Sequence, residues 1–88
     1  MPYIKQKDRK KLDAKIDALA AAVDPGHRAG ELNYIFNRLV LALQGEGKYK
    51  DVNELMGALE CAKLEFYRRK IAPFENKKAS ENGDLPWS

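Results

Sequence analysis

Two short runs of this sequence concentrate the residue types that recognise anions. Asn33, Tyr34, Asn37 and Arg38 recur at four-residue spacing, so on a helix Asn37 lies over Asn33 and Arg38 over Tyr34. Tyr67-Arg68-Arg69-Lys70 sets three cations beside a phenol. Tyrosine stacks on a base and arginine grips phosphate bidentately, a combination suited to a nucleotide. The candidate ligand set is therefore Tyr34, Asn37, Arg38, Tyr67, Arg68 and Arg69. Each has a structural alternative. The two asparagines could bridge helices or subunits, and cations at a helix C-terminus are favourable in themselves. Arg68 falls four residues after Leu64 on an apolar stripe, where it needs either a ligand anion or an internal carboxylate such as Glu65 or Glu60.

A third basic group, Lys5, Lys7, Arg9, Lys10, Lys11 and Lys15, is rich in lysine with only Tyr3 nearby as an aromatic. It reads as a solvated helix face more readily than as a phosphate-binding surface. His27 could help to hold an anion at a helix start, but neither a cysteine nor a second histidine accompanies it, so no metal site is expected. Cys61 reads as a small core residue. Ser80 and Ser88 have no histidine beside them, and the glycines form neither a GxGxxG nor a P-loop. Catalysis and a cofactor are not expected.

Three helical periods must position these groups. Leu12, Ile16, Leu19, Ala20 and Val23 share one stripe of a helix over 8–23, with Asp8 as its cap and Asp24-Pro25-Gly26 as its stop. Leu32, Ile35, Phe36, Leu39, Val40 and Leu43 define a second helix over 31–44, bounded by Gly30 and by Gly45 and Gly47. Asp51 and Glu54 read as a capping-box variant opening a third helix over 52–72, which Pro73 ends. Its stripe is Val52, Leu55, Met56, Leu59, Ala62 and Phe66. Gly57, Cys61, Leu64 and Ile71 form a second, offset one. The expected fold is all-α, a small antiparallel three-helix bundle over 1–75. One further turn around residues 74–79 and a polar, partly flexible tail over 76–88 would follow it. Its core would include Leu12, Ile16, Leu19, Leu32, Ile35, Phe36, Leu39, Leu55, Leu59 and Phe66. Consecutive antiparallel helices would bring Tyr34 and Arg38 level with Tyr67 to Lys70.

The bulk numbers fit one small domain: 88 residues, 16 Lys+Arg against 13 Asp+Glu for a charge of +3, and 44% hydrophobic residues. A chain this short builds a thin core, so two apolar stripes on the third helix point to a homo-oligomer. One cysteine excludes an intramolecular disulfide framework. No apolar run suits a membrane span, the polar start is not expected to be a signal peptide, and a cytoplasmic setting is expected.

The quoted segments also match a known pattern. Met1-Pro2-Tyr3-Ile4, Gly30-Glu31-Leu32-Asn33-Tyr34 with Arg38-Leu39, and Glu60 to Arg69 followed by Ala72-Pro73-Phe74-Glu75 carry it, together with Glu81-Asn82-Gly83-Asp84. Along nearly its full length the chain resembles a family of short uncharacterised proteins met in phage, prophage and microbial genomes. Phe74 stands where that pattern has tyrosine, and Leu85-Pro86-Trp87-Ser88 is an extension particular to this chain. The resemblance supplies no activity, but it implies accessory roles such as nucleic-acid handling, host interaction or sequestering a nucleotide signal. The functional expectation is a non-catalytic, self-associating helical protein presenting a basic and aromatic surface to a nucleotide or nucleic acid. The alternative is a purely structural protein–protein interaction module.

Overall fold

A computed structural model describes residues 3–87, so Met1 and Pro2 of the first motif and Ser88 of the extension lie outside the described residues. The described residues are helical with no strand. The elements are α1 (Gln6–Ala22), a 3₁₀ turn (Pro25–His27), α2 (Arg28–Leu43), α3 (Tyr49–Phe66), a π-helical turn (Tyr67–Ile71) and α4 (Ala72–Asn82). They fall into two compact units, Met1–Leu55 and Met56–Ser88. No helix among the described residues is long and apolar enough to cross a membrane.

In the first unit the helices start earlier than the sequence suggests. Asp8 sits inside the first turn of α1, and its amide donates to the Lys5 carbonyl at 2.9 Å. Gly30 does not separate a loop from a helix. The 3₁₀ turn runs straight into α2, and Asp24 begins it by accepting from the Gly26 amide at 2.9 Å. Proline in the first turn costs no hydrogen bond, which is why Pro25 stops α1 and still opens the next element. Between α2 and α3 the expected glycine exit is present: Gly45 and Gly47 have φ of 63° and 72°, the left-handed region that favours glycine. Asp51 is not the cap of α3. It occupies the third helical position, and its carboxylate reaches back to accept from the Lys48 amide at 3.1 Å.

In the second unit Pro73 does not end the helical path. A proline inside an α-helix would press its ring on the carbonyl four residues earlier, here Arg69, and leave that carbonyl unpaired. The chain avoids the clash by widening the preceding turn: the Ala72 amide donates to the Tyr67 carbonyl, five residues back, and Pro73 then lies in the first turn of α4. The segment expected as a polar tail is accordingly helical to Asn82. Gly83, with φ of 88°, ends it, and residues 84–87 follow without regular structure.

The expected core positions are not buried. No described residue falls in the buried class. Ile35, Leu55 and Leu59 are half-buried, while Leu12, Ile16, Leu19, Leu32, Phe36, Leu39 and Phe66 are exposed. The principal contacts between elements join sequence neighbours, α2 with the 3₁₀ turn and α4 with the π turn. Helical periodicity located the stripes correctly, but a stripe only states that a surface needs covering.

Replacing Pro73 by Ala returns an N–H to that position and removes the ring. The expected outcome is relaxation of the π turn to an α-turn, read by NMR as a hydrogen-bond coupling from the Ala72 amide to the Arg68 carbonyl in place of the Tyr67 carbonyl. An Ala72 amide still coupled to the Tyr67 carbonyl would show that the wide turn does not depend on the proline.

Candidate functional site

The six candidate residues divide between the two units, and each group is explained by its own helix. Tyr34, Asn37 and Arg38 project from the middle of α2. The amide nitrogen of Asn37 donates to the Asn33 carbonyl at 2.8 Å and to its side-chain oxygen at 3.1 Å. Such back-bonding over one helical turn spends the group that would have read a ligand's polar edge. Arg38 donates from Nη1 to the Tyr34 hydroxyl at 2.7 Å, with its guanidinium carbon 5.6 Å from the ring centroid. The phenol orders the arginine by cation–π attraction and a hydrogen bond, and it brings no negative charge.

Tyr67, Arg68 and Arg69 lie in the π turn. Glu65 accepts from Arg68 Nη2 at 2.8 Å and from Arg69 Nε at 3.1 Å. Of the two carboxylates that the sequence offered to Arg68, Glu65 takes the role. Glu60 pairs with Lys63 at 3.1 Å instead. Tyr67 donates its hydroxyl proton to Glu75, across the π turn. That bond and the adjacent carboxylate charge hold the phenol above its ordinary value of 10.0. Two further contacts in this unit are also local: Lys78 lies 5.7 Å over the Phe74 ring, and Trp87 donates to Asp84 at 3.3 Å.

The one histidine is drawn into a network that the sequence reading missed. His27 Nδ1 lies 2.9 Å from Asp24 Oδ2, and the Asp24 amide donates to Glu31 Oε1 at 3.2 Å. The His27 bond, followed by the Gly26 amide, lowers the Asp24 pKa. The signal was present in the spacing Asp24, His27, Glu31, which is i, i+3, i+7 across a turn opened by Pro25. Potential ligand atoms of the three lie within 4.8 Å of one another, yet all three are engaged in beginning α2. His27 therefore faces carboxylates, the opposite of the anion-holding role considered for it. The lowered Asp24 pKa favours the fold above its ordinary value, and this contribution is lost as pH falls through the lowered one.

These features define an all-helical protein of apolar-striped helices whose polar side chains are paired chiefly within one or two turns. A family model described as "Domain of unknown function (DUF6899)" matches residues 1–85, and the chain belongs to that family. No curated protein and no solved structure matches the chain.

The Tyr67–Glu75 bond makes a prediction about pH. Its stabilisation is present below the ordinary tyrosine pKa and is lost as pH rises through the raised one. Followed by NMR of its ring, Tyr67 should titrate above its ordinary value of 10.0 and fall back towards it in Glu75→Gln. Identical titration in the two proteins would remove the bond.

Proposed function

We propose that this protein is a small, non-catalytic helical assembly module whose helices obtain their apolar core from further copies of the chain. The supporting observation is that no described side chain is buried although each of α1, α2 and α3 carries an apolar stripe. Helices of 16–18 residues are marginal in water unless tertiary contacts cover an amphipathic face. Fully burying one leucine, isoleucine or phenylalanine stabilises by about 1.5–3 kcal/mol, so these stripes hold a large unused driving force. The antiparallel three-helix packing expected from the sequence belongs to that assembled state. The single cysteine suits a cytoplasmic setting, and the resemblance to short phage and microbial proteins supports an accessory role built on binding.

Sedimentation equilibrium at micromolar concentration should give a mass above the 10.0 kDa of one chain, and the melting temperature should rise with protein concentration. A 10.0 kDa species with a concentration-independent melt overturns the proposal.

A second reading, anion binding on α2, is favoured by the Tyr34–Arg38 pair, in which the arginine's hydrogen bond goes to a neutral phenol. Arg68 and Arg69 contribute less to this reading than the sequence suggests, because one carboxylate already serves both. Nucleotides and short oligonucleotides at 100 times their dissociation constant should add about 2.7 kcal/mol of stability. Arg38→Ala should abolish that gain and leave the unliganded melt nearly unchanged. A gain that survives Arg38→Ala places the ligand elsewhere.

A further inference from the structure

The most apolar concavity of the first unit is a groove of about 560 Å³ where the end of α1 meets the start of α2. Ile16, Leu19 and Val23 form one wall and Leu32 and Ile35 the other, with Arg28 at the edge. Leu19 is 43% exposed and Leu32 45%, so the groove is open along its length. It has the character of a two-helix surface lacking its third helix.

We infer that this groove receives α3 from a second copy of the chain, so that the three-helix packing is completed between molecules. The inference rests on the assembly proposal and names its interface. Three observations select this occupant. First, exposure: both surfaces lack cover, since Ile16, Leu19 and Leu32 of the groove and Phe66 on the stripe of α3 are all exposed. Second, pattern: α3 carries Val52, Leu55, Leu59 and Phe66 at helical spacing, a stripe that matches an apolar groove between two helices. Third, charge: α1 holds five cations (Lys7, Arg9, Lys10, Lys11, Lys15) against three carboxylates, and α3 holds four carboxylates (Asp51, Glu54, Glu60, Glu65) against two cations. An α3 laid beside α1 brings opposite net charges together, whereas α1 on α1 or α3 on α3 sets like against like. The exchange is reciprocal, since each copy offers one groove and one α3. A closed two-fold dimer satisfies both.

The test uses the full chain. A mixture of copies carrying ¹³C-labelled methyl groups with unlabelled copies should give intermolecular NOEs from Ile16, Leu19, Leu32 and Ile35 to Leu55, Leu59 and Phe66. In sedimentation, Leu19→Asp and Ile35→Asp should weaken association at least tenfold. Leu41→Asp, on the side of α2 opposite the groove, should leave it within twofold. An assembled protein whose intermolecular NOEs avoid the groove overturns this interface and leaves the assembly proposal standing. So does one in which Leu41→Asp dissociates as fully as the groove variants. A monomer whose groove methyl groups contact α3 of the same chain overturns both. The NOE measurement needs no substitution, so it remains decisive if the aspartate variants fail to fold.

Discussion

Local hydrogen bonding holds these helices, and the water around their apolar stripes sets everything else. An α-helix of four or five turns satisfies its own backbone, but the gain per residue barely exceeds the conformational entropy lost. The surplus that makes a protein must come from removing apolar surface from water. Here the stripes are formed and aligned, yet Leu19, Leu32 and Phe66 remain exposed. The chain is thus organised at the level of its elements before it is stabilised at the level of its core. That order accounts for the way polar groups are used, with side chains turning to partners one or two turns away.

The same constraint reshapes the candidate ligand site. A basic and aromatic cluster reads as a ligand surface only when its groups are uncommitted. Asn37 bonds back to Asn33, Arg68 and Arg69 share Glu65, and Tyr67 bonds to Glu75. These pairings are exposed and individually weak, about 0–1 kcal/mol for a surface ion pair, so a stronger ligand could displace them. Arg38 differs in being ordered by an uncharged partner. It keeps its positive charge available while its direction is fixed.

Helix type and approximate position were legible because a 3.6-residue period is a property of the chain alone. The stripes Leu12 to Ala20 and Leu32 to Leu43 lie on α1 and α2 as anticipated, with Val23 just past the end of α1. The glycine exit at Gly45 and Gly47 was legible because few other residues adopt positive φ. Three features were not. Gly30 sits inside α2 because the capping network of Asp24 and Glu31 starts the helix before it. Pro73 was read as a stop because sequence rules describe the α-helix, whereas a turn one residue wider removes the clash. Burial was misjudged for a deeper reason: periodicity reveals which face is apolar and says nothing about what covers it. Of the site, the Tyr34–Arg38 pairing and the Arg68–Glu65 partnership were visible in the i, i+4 and i, i+3 spacings. The Tyr67–Glu75 bond was not, because eight residues become neighbours only across a π turn.

The wide turn also acts as a phase shifter. Each α-helical residue advances the chain by about 100° around the helix axis, and a π turn absorbs one residue beyond the regular count. A stripe running down α3 therefore does not continue onto α4, whose faces are rotated out of step by about that angle. The single helical path from Tyr49 to Asn82 carries two separate angular codes, one read from Val52 to Phe66 and another beginning at Pro73. Removing one residue between Tyr67 and Ile71 would shorten the rod by little more than an ångström, yet it would turn every side chain of α4 to a different bearing.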